Sequence, residues 1–148
     1  MSEPVRARAY EPVPVEINGS LFESVDPTEA AQEKLNAAGE AINALLYEAQ
    51  EREKELDDKN ELLPPDEQKK WDDRLEKATR EYRLVFFDMV LRPVEGGKQK
   101  ASTVLKNGLK SGEITPREYE AYWREIPAAI GRANGVEDGE AEEATRPT

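Results

Sequence analysis

Apolar residues along this chain fall into two long stripes that share a four-then-three rhythm. The first passes through Ala31, Leu35, Ala38, Ile42, Leu45, Ala49, Arg52 and Leu56, the second through Trp71, Leu75, Ala78, Tyr82, Val85 and Met89. A repeat averaging about 3.5 residues traces one edge of an α-helix, so the spacing predicts helices over residues 27–59 and 64–92. Leu62-Leu63-Pro64-Pro65 lies between them. Two striped helices joined by a proline break predict an antiparallel helical hairpin. Trp71, early on its stripe, is then expected within reach of Leu56. Residues 84–91 are apolar almost all round and need burial on more than one side. Together with residues 42–46 and the N-terminal hairpin they are the expected main core.

Local signals place the helix ends. Asp26-Pro27 offers an N-cap followed by proline at the first helical position, and Glu29 sits in the first turn, where the helix dipole favours it. Gly39 inside the first helix costs on the order of 1 kcal/mol relative to alanine, which implies a close contact or a bend. Beyond Glu48 nearly every residue is charged and Arg52 interrupts the stripe. This distal end reads as a solvated projection unless a partner covers it. Arg92-Pro93 is expected to end the second helix, with Gly96-Gly97 as a joint.

Ahead of the stripes, Val13-Pro14-Val15-Glu16-Ile17 and Ser20-Leu21-Phe22-Glu23-Ser24-Val25 flank Asn18-Gly19. Asn-Gly between two β-prone runs predicts a β-hairpin over residues 13–25, because a type I′ turn needs positive φ at both central positions. Pro14 argues for an edge strand. The alternative is an irregular arm with an isolated turn. Residues 1–12 lack periodicity and are expected to form a flexible arm.

After the stripes, residues 98–110 place Ala101, Val104, Leu105 and Leu109 on one helical face, and Gly112 is a natural stop. Thr115-Pro116-Arg117-Glu118 is a capping box with proline at the first helical position. The helix it starts presents Tyr119, Tyr122, Trp123, Ile126 and Ile130, and Pro127 is expected to kink it or end its first part. Tyr122 and Trp123 admit two readings: an exposed anchor for a partner, or packing on the preceding helix and the core. Residues 135–148 are glycine, glutamate, alanine and threonine with little else, and are expected to be a disordered acidic tail. The fold class is therefore mainly α: a long antiparallel helical hairpin, two shorter C-terminal helices and a small N-terminal β-hairpin, in one domain over residues 13–134.

Composition then narrows the chemistry. With 148 residues the chain suits one domain and a modest core, and it contains neither histidine nor cysteine. That removes the usual zinc and copper ligands, thiol nucleophiles, Ser-His pairs and disulfides. No run of about 20 apolar residues is present to span a bilayer, and Arg6 and Arg8 have no apolar segment behind them, so a signal peptide is not expected. The expected location is cytoplasmic. Thirty-two acidic residues against 21 basic give a formal net charge of −11, which repels nucleic-acid phosphates. The best basic patch, Lys98, Lys100, Lys106 and Lys110 with Arg92 nearby, lacks interleaved aromatics and reads as a solvated helix face rather than a nucleic-acid site.

Candidate catalytic pairs fail on spacing. Asp57/Asp58 and Asp72/Asp73 are neighbours in sequence and point in different directions on a helix. A catalytic pair has to face one substrate, with at least one displaced pKa. Lys110-Ser111-Gly112-Glu113-Ile114-Thr115 lacks calcium-loop spacing, and Gly96-Gly97-Lys98 falls short of a phosphate loop. Neither an enzyme nor a cofactor is expected.

One resemblance can be drawn from the order of segments. Val15-Glu16-Ile17-Asn18-Gly19-Ser20-Leu21-Phe22 leads into helices, a later helix carries Phe86-Phe87-Asp88-Met89-Val90-Leu91, and Ile114-Thr115-Pro116-Arg117-Glu118-Tyr119 opens a terminal helix ahead of an acidic tail. In layout this resembles the small tail assembly chaperones of long-tailed bacteriophages. The resemblance implies a non-enzymatic protein that binds tape-measure and tail-tube proteins during virion assembly. Gly112-Glu113-Ile114-Thr115 with Glu118-Tyr119 also resembles short C-terminal helical modules at the ends of many bacterial proteins. Two alternatives stand beside the chaperone: a structural component of a virion, and an acidic inhibitor that mimics nucleic acid. Candidate partner-binding residues are Leu56, Leu62, Leu63, Trp71, Tyr119, Tyr122 and Trp123. A protein partner or a second copy of the chain is expected, with no nucleic acid and no membrane.

Overall fold

The structure, a computed structural model, describes residues 9–94 and 96–135. Its elements run β1 (Pro14–Ile17), β2 (Ser20–Ser24), α1 (Glu29–Asp58), α2 (Pro65–Val90), β3 (Leu91–Pro93), α3 (Ala101–Ser111) and α4 (Pro116–Ala133). The predicted class is the one observed: two long helices, two shorter ones and an N-terminal β-hairpin, to which a third strand is added. The acidic tail from residue 136 onward and most of the N-terminal arm lie outside the described residues. The chain divides into two compact units, one of Met1–Asp26 with Val90–Thr148 and one of Pro27–Met89.

In the first unit Asn18 at φ 48° and Gly19 at φ 81° form the expected turn. Both central residues lie in the left-handed region that a type I′ turn demands. The register follows: Val15 faces Phe22 and Ile17 faces Ser20. Val15, Ile17, Phe22 and Ser24 are buried. Ser24 is satisfied there, since its hydroxyl accepts from the Val13 N–H at 2.8 Å and its N–H donates to the Val13 carbonyl at 2.9 Å. Strand β1, with Pro14, is an edge.

Strand β3 corrects the predicted second helix. Residues 91 and 92 were expected to be helical, but α2 ends at Val90 and the chain continues extended. Arg92 precedes proline, which disfavours the α region for it, and β2 has a free edge to receive it. Ser24 pairs with Leu91, Glu23 with Arg92 and Phe22 with Pro93. The Arg92 Nε donates to Glu23 Oε1 at 2.6 Å across this pair.

Helix α3 packs on β1, β3 and α4, burying Ala101, Val104 and Leu105 as the pattern predicts. Gly112, at φ 84°, ends it. The Ile114 N–H returns to the Gly108 carbonyl at 2.9 Å, and the Ile114 side chain lies so close that a Cβ on Gly108 would stand 2.3 Å from its Cδ1. The capping box of α4 forms: Glu118 N–H donates to Thr115 Oγ1 at 3.1 Å and Thr115 N–H donates to Glu118 Oε1 at 3.1 Å. Pro127 does not end this helix, which runs on to Ala133. Burial of Ile126 and the Asn134 bonds to the Ile130 carbonyl, from its N–H at 3.1 Å and its Nδ2 at 2.9 Å, hold the second half.

In the second unit the N-cap of α1 is Thr28, whose Oγ1 accepts from the Ala31 N–H at 3.1 Å, and not Asp26. Pro27 stands ahead of the cap and not inside the helix. Three contacts fix how α1 and α2 align. Gly39 lies against Tyr82, Arg74 Nη2 reaches Glu48 Oε2 at 3.3 Å, and Arg52 Nε reaches Glu67 Oε2 at 2.7 Å. Partners advance along α1 as they retreat along α2, so the hairpin is antiparallel as predicted.

That register corrects two expectations. It sets Leu45 level with about Leu75 and Val85 level with about Leu35, so residues 42–46 do not meet residues 84–91. Likewise Trp71 comes level with about residue 50, more than a turn short of Leu56. Two evenly spaced stripes carry no mark of their own that fixes how far one slides along the other.

Candidate interaction surface

The turn joining α1 to α2 sorts its leucines by backbone geometry. Lys59 caps α1, Asn60 takes φ 55°, and the Glu61 N–H returns to the Leu56 carbonyl at 2.9 Å. This closes the turn over Leu56, which is 3% exposed, while Leu62 stands 92% exposed and Leu63 is half-buried. Of the three, only Leu62 is presented to solvent.

Behind the turn lies a polar lattice centred on the seam position where the stripe breaks. Arg52 grips Glu67 with two parallel hydrogen bonds, Nε to Oε2 at 2.7 Å and Nη2 to Oε1 at 3.0 Å. Such a fork is the strong form of an ion pair. The Arg74 guanidinium sits over the Trp71 ring, 4.8 Å from its centroid, and bonds Glu48 at 3.3 Å. The hydrogen bonds from Arg52 hold the Glu67 carboxyl below its ordinary pKa, against a smaller opposing push from desolvation. The same bond raises the pKa of Arg52. A charged residue at a seam position costs packing and fixes alignment in return, so Arg52 works as a register pin.

Beyond this lattice two large apolar residues of α1 are exposed, Leu46 at 43% and Tyr47 at 63%. The seam residues Ala38, Ile42, Leu45 and Ala49 are half-buried, as are Trp71, Leu75, Ala78 and Tyr82 opposite. An open depression along α1 is lined by Tyr47, Glu48, Glu51, Arg52, Lys54, Glu55 and Asp58. All seven come from one helix, so it is a surface furrow and not a cavity.

The seven predicted partner-binding residues thus divide. Leu56, Leu62, Leu63 and Trp71 lie at the turn end of the hairpin, whereas Tyr119, Tyr122 and Trp123 belong to α4 in the other unit. Leu56 and Tyr119 are core residues at 3% and 5% exposure, too enclosed to touch a partner. Tyr122 is half-buried, and its hydroxyl accepts from the Asn18 N–H at 3.4 Å, tying α4 to the β-turn. Trp123 is half-buried as well.

Sequence reasoning missed Leu46, Tyr47 and the Glu67–Arg52 and Glu48–Arg74 pairs. The only local signal was Arg52 in a seam position. Its acidic partner became identifiable only once the register was known.

Among the described residues no three acidic side chains converge as a metal site, and no helix is long and apolar enough to cross a membrane. Compared with known protein families, curated proteins and solved structures, the chain has no significant match.

Proposed function

We propose that this chain is a non-enzymatic binding protein that uses the α1–α2 hairpin to hold a protein partner, in the manner of a bacteriophage tail assembly chaperone or adaptor. The observation that carries this reading is that the hairpin exposes large apolar side chains at two places, Leu46 and Tyr47 on α1 and Leu62 in the turn. The seam residues Ile42, Leu45 and Ala49 of the same helix are themselves only half-buried. Removing such apolar surface from water favours association, so these side chains offer a partner its apolar footing. The partners this reading names are tape-measure and tail-tube proteins, to which the layout of the chain points.

The test is co-purification of the chain with the tape-measure and tail-tube proteins encoded in its own genome, followed by titration of the complex. The expected result is binding that weakens at least about tenfold (about 1.4 kcal/mol) in Leu46→Ser/Tyr47→Ser/Leu62→Ser, with helicity retained. Failure to bind either protein overturns the assignment. Retention of the chain at fixed stoichiometry in finished particles replaces it with the virion-component reading.

A further inference from the structure

Residues 96–112 differ in charge from the rest of the molecule. They contain Lys98, Lys100, Lys106 and Lys110 and no acidic residue, in a chain whose formal net charge is −11. Ala101, Val104, Leu105 and Gly108 take the buried side of α3. Lys106 and Lys110, four residues apart, lie on the opposite side, and all four lysines are exposed. Among the described residues none of the four makes an ion pair, whereas Arg52, Lys59, Arg74, Arg80, Arg92 and Arg124 each pair with a glutamate.

A matching counter-charge follows close by in the sequence. Residues 136–148 hold Glu137, Asp138, Glu140, Glu142 and Glu143 against the single Arg146. Their point of departure is fixed within the same unit as α3. Asn134 Oδ1 accepts from the Glu11 N–H at 2.7 Å, and Asn134 Nδ2 donates to the Glu11 carbonyl at 3.1 Å. Glu11 stands just ahead of β1, and β1 packs on α3. Thirteen residues reach up to about 40 Å when extended. Helix α3 is about 16 Å long at 1.5 Å per residue.

We propose that the lysine face of α3, with Lys98 and Lys100 at its start, is the docking surface for the acidic segment 136–148 of the same chain. Single exposed ion pairs are weak, but a tethered ligand acts at an effective concentration in the millimolar range. Several weak pairs therefore hold the segment without any deep pocket. While docked, the segment neutralises the only stretch of this kind in the described chain and keeps other polyanions from it. This inference does not rest on the role proposed for the hairpin.

The test uses the whole chain, which has no native cysteine, so Ala141→Cys carries one nitroxide label. Amide signals of residues 98–110 are expected to be lost to relaxation by the label and to return on reduction of the nitroxide. They are expected to return also in 1 M salt, where screening acts within about 3 Å, and in Lys98→Gln/Lys100→Gln/Lys106→Gln/Lys110→Gln. Signals of residues 98–110 that stay intact beside the label overturn the proposal. Broadening that survives both the salt and the four glutamines overturns it too, because it then reports nearness without charge pairing. Broadening seen only when labelled chain is mixed with a separate isotope-enriched chain assigns the face to a second copy and rejects the intramolecular contact.

Discussion

Two glycines inside helices show how differently the two units are held together. Gly108 of α3 lies under Ile114, and a methyl group there would stand 2.3 Å from Cδ1, 2.5 Å from Cγ1 and 3.1 Å from Cβ of that residue. Cβ is fixed to the backbone, so Ile114 has little freedom to withdraw. Gly39 of α1 faces the ring of Tyr82 at 3.5 Å, an ordinary contact distance. The same residue type is thus a packing requirement in one unit and a vacancy in the other. The sheet-bearing unit gains its stability from fitted interior surfaces, with Ile17, Phe22, Leu105 and Ile114 at or below 2% exposure. In the hairpin unit the mid-seam residues remain half-exposed, and charged pairs fix the alignment. A fitted interior punishes small changes in volume, whereas a half-open seam tolerates them.

Each unit has its own tryptophan, Trp123 in α4 and Trp71 in α2, so single-tryptophan variants let the contrast be attacked one side at a time. The largest expected effect is Gly108→Ala. Despite alanine's better helix propensity it is expected to destabilise by about 1–3 kcal/mol, read as an earlier urea midpoint by Trp123 fluorescence in a Trp71→Phe background. An equal shift at Trp71 would show the two units unfolding as one block and remove the basis for comparing them. Gly39→Ala is expected to act in the opposite direction, stabilising by up to about 1 kcal/mol, with the gain visible in the melting of helical ellipticity. A loss there would mean the seam is as tightly fitted as the α3 interior.

The smallest effect concerns the register pin. Glu67 in the fold titrates below its ordinary value of 4.5 because Arg52 hydrogen-bonds its charged form. Its stabilising contribution is therefore complete above that value and is lost as pH falls through the lowered one. A small decline in hairpin stability below about pH 4.5 is expected, and Arg52→Met should flatten that component of the pH profile while leaving the helical content intact. A profile unchanged by Arg52→Met would take away the pin's role.

What the sequence made legible was what a few neighbouring residues decide by themselves. Asn18-Gly19 has to adopt positive φ, Thr115 and Glu118 cap each other, and Gly112 stops α3; each of these needs about four residues and no partner. The stripes were legible for the same reason, as a period within one helix. The sliding of α1 against α2 was not, because two evenly spaced stripes pair almost equally well at several offsets. Gly39 against Tyr82, Arg52 on Glu67 and Arg74 on Glu48 choose among them. Strand β3 escaped notice because three residues carry no period, and it depends on an edge of β2 far away in sequence. At the start of α1, Asp26 and Thr28 are both good caps, and the hydroxyl that reaches Ala31 decides. For the candidate surface, Leu62 was foreseen at the turn. Leu46, expected in the core with residues 42–46, and Tyr47 lie off the stripe and are exposed instead.

Strands β2 and β3 are adjacent rungs of one ladder, with Ser24 opposite Leu91 and the Val25 N–H on the Val90 carbonyl at 2.8 Å. Topologically, then, the sheet is a simple meander whose second bend has been opened and a long graft spliced in. A graft stitched at both feet enters and leaves side by side, since the strand before it and the strand after it are neighbours in the sheet.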